Sequence, residues 1–279
     1  MAGARRVRVT LPAAEARHLV SLLFAAGCEE IHADVAGPRA TVTVRFGPVE
    51  PGYVEDRVES WLQVFDVQND ATVETARDDG PWEPGWRAIY AGAVVGRFSI
   101  RPPWAPARPA GLDVVIDPRG AFGSGVHPAT VVMLRALETA LAGRTPGTLL
   151  DVGAGTGVLS VAAARLGWIV TALEIKASAR AACRRTVEAN TVAVSPLDAR
   201  LEDLDGRFDA VLANLYADAI ARLAPHLARV TAPGGALLLG GFHPPERGAI
   251  ARRFGWGDGA LTVSDDGEWA AVWLQAAVS

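Results

Sequence analysis

The chain has 279 residues, 50% hydrophobic and 21% charged, with a net charge of −4 at pH 7. That composition fits one large or two modest globular domains and excludes a disordered chain. The slight acidic balance argues against a broad nucleic-acid footprint, and no apolar run reaches the roughly 18 residues of a membrane helix.

The opening "MAGARRVRVT" lacks the apolar stretch of a signal peptide, so a cytoplasmic protein without a membrane anchor is expected. Cys28 and Cys183 lie far apart without metal-ligand spacing. They read as reduced thiols, and no metal is expected.

Residues 1–77 alternate in type. "RRVRVTL" has strand alternation, and "AAEARHLVSLLFAAG" is helical, with Leu19, Leu22, Leu23 and Ala26 on one face and Gly27 as its stop. "CEEIHADVAGPRATVTVRF" predicts two strands about a turn at Gly37-Pro38, "YVEDRVESWLQVF" a second amphipathic helix, and "ATVETAR" a closing strand. The order βαββαβ is that of a ferredoxin-like sandwich. His18 and His32 read as surface or packed histidines, not ligands.

Residues 78–110 are rich in Pro and Gly, carry Trp82, Trp86 and Trp104, and hold a short hairpin around "VVGRFSI". They read as a connector between domains. From 111 to 279, apolar strands alternate with helices: "LDVVID", a helix from about Pro128, "GTLLDVG", a helix from about Val158, "WIVTALE", a helix from about Ala177, "FDAVLAN", a helix from about Ala217, and "GALLLGG". That pattern predicts a doubly wound α/β domain with a mostly parallel sheet. The tail adds two late strands with a turn at Asp266-Gly267 that pair antiparallel at an edge.

Two stretches carry chemistry. In "LLDVGAGTGVLSVAAARLG" a buried strand runs into Asp151, and Gly153, Gly155 and Gly157 then turn the chain into a helix. Such a turn brings a ligand against backbone N–H groups with no Cβ in the way. Val158 occupies the place of the third glycine of a dinucleotide fingerprint, and no Gly-Lys-Ser/Thr follows, so neither that fingerprint nor a phosphate loop fits. Glu174 ends the next strand, where a carboxylate can accept both ribose hydroxyls. Asn214 ends "FDAVLAN", at the edge where open α/β sheets bind ligands, although a polar residue there can also cap the next helix. In "SPLDARLEDL", Asp198 is a further candidate ligand contact, with Asp203 as the alternative.

The glycine turn resembles motif I of class I S-adenosylmethionine-dependent methyltransferases. The second stretch, "IDPRGAFGSGVHPAT", resembles the loop that precedes motif I in the PrmA family, the methyltransferases of large-subunit ribosomal protein eleven. Asp117, Pro118, Ala121, Phe122, Gly123, Gly125, His127, Pro128 and Thr130 match that loop as they stand. The likeness continues through "VLANLYADAIARLAPHLARVTAPGGALLLGG" to "GEWAAVWL" and takes in the connector and the small leading domain.

This resemblance implies S-adenosylmethionine as cofactor, repeated methylation of lysine side-chain and N-terminal amines, and a leading domain that recruits the protein substrate. It implies cofactor contacts from Phe122, Gly123, Ser124, Thr130, Asp151, Gly153, Gly155, Gly157, Glu174, Asp198 and Asn214. Phe122, Asn214 and His127 are the candidate catalytic residues: a channel wall, an acceptor that orients the amine, and either a base or a structural residue of the loop. The loop reads as a glycine-hinged lid. The sequence departs from the family pattern at Ser124, Val126 and Ala129, each a threonine there, at Glu174 and Lys176 in place of Asp-Ile-Asp, and at Tyr216. A monomer acting on a ribosomal protein without contacting nucleic acid is expected. The rivals are a methyltransferase of another lysine or small amine and a cofactor-binding protein without catalysis.

Overall fold

A computed structural model describes residues 5–25, 30–46, 56, 58–59, 61–62, 68–77, 92–108, 111–116, 125, 127–256, 260–263 and 267–278. Phe122, Gly123, Ser124 and Val126 of the loop, Cys28, Trp82, Trp86 and Asp266, and the side chains of His18 and His32, lie outside the described residues. The chain forms two compact units that divide between residues 91 and 92.

The first unit is the expected sandwich. It comprises β1 (Arg5–Pro12), α1 (Ala13–Ala25), β2 (Glu30–Ala36), β3 (Arg39–Phe46) and β4 (Thr72–Arg77). Residues 56, 58, 59, 61 and 62 are helical, in the region where the second helix is expected. The sheet order β2-β3-β1-β4, all antiparallel, is the ferredoxin-like arrangement. Strand alternation sorts the side chains: Val7, Val9 and Leu11 of β1 and Val42 and Val44 of β3 are buried, and α1 packs against both strands. Arg8 faces the other way and reaches Glu74 on β4 at 3.6 Å.

The second unit opens with β5 (Ala93–Val95) and β6 (Phe98–Arg101), the hairpin expected around "VVGRFSI". It is part of this unit rather than a free connector. Phe98 and Ile100 are buried in the same core as Met133 and Leu137, and the Arg97 amide donates to Glu138 Oε2 at 3.4 Å. The segment "LDVVID" supplies β7 (Leu112–Val115), which pairs in parallel with β6. It therefore belongs to a three-stranded sheet, β5-β6-β7, and not to the large sheet where the alternation had placed it.

The physical reason is that side chains close the outer edge of β7. The Asn190 carboxamide accepts the Val115 N–H at 2.8 Å and donates to the Val115 carbonyl at 2.6 Å and the Thr186 carbonyl at 2.7 Å. Arg165 donates to the Asp113 carbonyl at 2.9 Å. These outward-facing ladder groups are thus satisfied without another strand.

The remaining elements are α2 (Pro128–Leu141), β8 (Thr148–Val152), α3 (Val158–Arg165), β9 (Ile169–Leu173), α4 (Ala177–Asn190), β10 (Val194–Leu197), β11 (Phe208–Asn214), α5 (Ala217–Val230), β12 (Thr231–Phe242), α6 (Arg247–Arg252), β13 (Ala260–Val263) and β14 (Ala270–Gln275). Seven strands run in the order β10-β9-β8-β11-β12-β14-β13. The first five are parallel, and β14 and β13 close the edge antiparallel, as expected of the tail. Successive residues serve opposite faces: Leu149, Ala210, Leu212 and Leu238 pack with α2 and α3, whereas Leu150, Val211, Leu237 and Leu239 pack with α5. The doubly wound reading holds. Because β9 and β10 lie to one side of β8 and β11 and β12 to the other, the order reverses between β8 and β11. The carboxyl ends of those strands frame the ligand crevice of such a sheet.

Truncating Asn190, which is 4% exposed, would orphan both Val115 backbone groups. Asn190→Ala is expected to lower unfolding stability by about 3 kcal/mol in urea denaturation. A change below about 0.5 kcal/mol, the scale of an ordinary surface substitution, would show that the clip is not needed.

Candidate active site

The glycine turn follows β8. Gly153, Gly155 and Gly157 all have positive φ, at 75°, 56° and 81°. At Gly157, which caps α3, an added Cβ would lie 2.8 Å from Cys183 Sγ, so a side chain is excluded by space as well as by backbone conformation. The amides of Gly153 and Ala154 both donate to the Leu173 carbonyl, at 2.9 and 3.1 Å, tying the turn to the end of β9.

Glu174 stands immediately after that carbonyl and is 8% exposed. Its Oε2 accepts the Gly155 amide at 3.0 Å and its Oε1 the Lys176 amide at 2.9 Å. The side chain therefore holds the glycine turn and the entry to α4 in one arrangement, and each oxygen retains a second lone pair for a ligand hydroxyl. Lys176 enters this arrangement through its backbone; it is the N-cap residue of α4.

Asp151 is 1% exposed, with Oδ2 accepting the Ser160 hydroxyl at 2.5 Å. Burial pushes its carboxyl up to about 7, the Ser160 hydrogen bond opposes that rise, and the Glu174 charge adds to it. Burial and the same two carboxylates push the Cys183 thiol up to about 12, so it is a neutral packing group.

Asn214 closes β11 opposite Gly240 of β12. Its Oδ1 is buried with no hydrogen-bond partner among the described residues. Gly241, at φ 87°, makes room for it: a Cβ there would lie 2.9 Å from Asn214 Oδ1 and 2.7 Å from the Leu215 carbonyl. Thr130 is fully buried on α2, and its hydroxyl is likewise unpartnered among the described residues. Tyr216, at the N-cap of α5, is 70% exposed.

His127 is the N-cap of α2, with Nδ1 accepting the Ala129 amide at 3.2 Å, and Pro128 follows as the first helical residue. Its ring lies edge-on to Trp269, centroids 5.2 Å apart. An Nδ1 that accepts places the ring proton on Nε2, so the imidazole in this arrangement is a cap and a donor rather than a base.

Asp198, just past β10, is 63% exposed and pairs with Arg180 at 2.7 Å. Asp203, the alternative acid, lies in a single 3-10 turn and is exposed. The described residues thus place motif I, Glu174, Asp198 and Asn214 at the carboxyl ends of successive parallel strands. They contain no cluster of His, Cys, Asp and Glu that could hold a metal ion, and no helix among them is long and apolar enough to cross a membrane.

Four residues were missed in sequence. Gly241 had a visible signal, a glycine inside an apolar strand, which marks close backbone approach. Ile175 is 66% exposed beside Glu174 and offers an apolar surface at the same edge. Ser160 and Arg180 carried no signal, because each acts through a contact that only the fold brings about.

A family model described as ribosomal protein L11 methyltransferase (PrmA) matches residues 54–277. The chain belongs to this family. It is a methyltransferase whose methyl donor is S-adenosylmethionine. The ribosomal protein L11 methyltransferase of Geobacter sulfurreducens is 40% identical over 206 residues, 72% of this chain and 68% of that one. That of Geotalea uraniireducens is 34% identical over 261 residues, 84% and 82% of the two chains. Among solved structures, the ribosomal protein L11 methylase of Lactobacillus delbrueckii subsp. bulgaricus superposes with a TM-score of 0.57 at 25% identity, covering 65% of this chain and 96% of that one. The family match begins after β3, so most of the first unit lies outside it.

The raised Asp151 gives a prediction with a definite sign. Its folded value of about 7 stands above the ordinary 3.8, so its contribution to stability is fully present below pH 3.8 and is lost as pH rises through 7. Fully ionised, it costs roughly 4 kcal/mol relative to an unperturbed carboxyl. Asp151→Asn keeps an acceptor for Ser160 and is expected to remove this slope. Urea melts at pH 5 and pH 8 check it: the wild type loses more stability on that rise than the variant, and equal losses would refute the assignment.

Proposed function

We propose that the chain transfers methyl groups from S-adenosylmethionine to lysine side-chain or N-terminal amines of ribosomal protein L11. The observation that carries this reading is the Asn214 carboxamide oxygen. It is buried, unpartnered among the described residues and set at the carboxyl edge of β11, one strand from the glycine turn. A buried acceptor without a donor is costly unless a ligand supplies one. The relatives' names supply the substrate.

The residues present suit the cofactor. The glycine turn offers backbone N–H groups without side chains, Glu174 offers a carboxylate for the ribose hydroxyls, and Ile175 and Asp198 offer an apolar surface and an acceptor for adenine. Thr130 adds an orphaned hydroxyl at the start of α2. When bound, S-adenosylmethionine supplies an electrophilic methyl group on a sulfonium.

The chain's own work is alignment and desolvation. A lysine ammonium, of pKa about 10.4, has no lone pair until it loses a proton. Apolar surroundings favour the neutral amine, and Asn214 Oδ1 accepts an N–H so that the lone pair points along the transfer direction. The proton goes to solvent, since His127 uses its Nδ1 lone pair as a helix cap. The first unit recruits the protein substrate, and the enzyme acts as a cytoplasmic monomer without contacting nucleic acid, in keeping with its net charge of −4.

Incubation with labelled S-adenosylmethionine and purified ribosomal protein L11 tests the reading, with the modified residues located by mass spectrometry. Label is expected in L11, and Asn214→Ala is expected to slow turnover about 100-fold with a native melting curve. Label in a different ribosomal protein, or an Asn214→Ala variant with undiminished turnover, would overturn it.

A further inference from the structure

We infer that Arg180 is a positioning residue that sets Asp198 to read the exocyclic amine of adenine, and so makes the site selective for adenosine over inosine. The inference rests on S-adenosylmethionine binding at this edge, as proposed above.

Arg180 lies in the first turn of α4, its amide donating to the Lys176 carbonyl at 2.9 Å. The guanidinium reaches back to the strand ends. Nη1 donates to the Glu174 carbonyl at 2.8 Å, and Nη2 meets Asp198 Oδ2 at 2.7 Å. One planar fork therefore joins the residue that follows β9 to the residue that follows β10. Its side chain is only 14% exposed, whereas Asp198 is 63% exposed. An ion pair between two mobile surface groups contributes little. Here the arginine is anchored by a backbone carbonyl before it meets the carboxylate, so its conformational freedom is already spent.

The strands supply the other half of the geometry. β9 and β10 are in parallel register, Leu173 opposite Leu197, and the Glu174 amide donates to the Leu197 carbonyl at 3.2 Å. Glu174 and Asp198 thus occupy equivalent places on neighbouring strands. Glu174 is fixed by backbone amides, as described above. For Asp198 the described contact is the ion pair to Arg180 through Oδ2, and an acceptor-only carboxylate then has Oδ1 for a ligand donor. Adenine presents an N–H₂ at its six position, where hypoxanthine presents a carbonyl that a carboxylate repels. A carboxylate held in place discriminates between the two; one free to rotate away does so less.

The test measures calorimetric affinities of the intact chain for S-adenosylhomocysteine and S-inosylhomocysteine. The wild type is expected to prefer the adenosyl compound, and Arg180→Ala to reduce that preference about tenfold, chiefly by weakening the adenosyl compound. Asp198→Ala, at an exposed position, is expected to do the same, and the double variant to lose no further selectivity. Arg180→Lys, which keeps a charge but not the fork, is expected to fall between. A preference unchanged in Arg180→Ala, with both affinities falling together, would overturn the positioning role and leave the cofactor site standing. A wild type that binds both compounds equally would overturn the adenine contact, and one that binds neither would overturn the site itself.

Discussion

The Glu174 carboxylate accepts two backbone amides, Gly155 through one oxygen and Lys176 through the other, and the proposed cofactor edge depends on that double contact. The glycine turn after β8 has no side chains of its own to hold it. Its shape comes from the Leu173 carbonyl, which takes the Gly153 and Ala154 amides, and from Glu174, which takes Gly155. Both anchors lie at the end of β9, so the neighbouring strand shapes the turn. The same carboxylate sets the entry to α4, and α4 in turn carries Arg180 to Asp198 and Asn190 to Val115. A charged acceptor bonded to amides is stronger than a neutral one, which suits a group with this many dependents.

Legibility in the sequence followed the range of the physics involved. Pro128 after His127, the apolar periodicity of α2, and the glycines after "LLDV" are local signals, and the elements they predict are where they were expected. The starts of α4 and α5 were equally readable. β10 was missed because Pro196 stands inside a short apolar run and argues against a strand; in fact β10 is the sheet edge, where proline is tolerated. β7 was placed in the wrong sheet because its partner choice is decided by Asn190 and Arg165, both more than fifty residues away.

The site shows the same division. Glu174 and Asn214 stand out in the sequence because a polar residue that ends an apolar strand is conspicuous. What each does is tertiary: Glu174 bonds the turn, and Asn214 has room because Gly241 has no side chain. His127 was expected to be either a base or a loop residue, and its Nδ1 contact with Ala129 favours the second. Asp151 was read as a ligand contact, yet its hydroxyl partner on α3 and its 1% exposure make it also a buried brace beneath the turn.

The most direct test is the S-adenosylmethionine affinity of Glu174→Gln, measured by calorimetry on protein whose melting curve matches the wild type. Glutamine keeps one acceptor oxygen but sets an N–H₂ against an amide N–H, so one of the two anchors is lost. Affinity is expected to fall at least about tenfold. A variant that binds as tightly as the wild type would show that the double contact of Glu174 does not hold the cofactor edge.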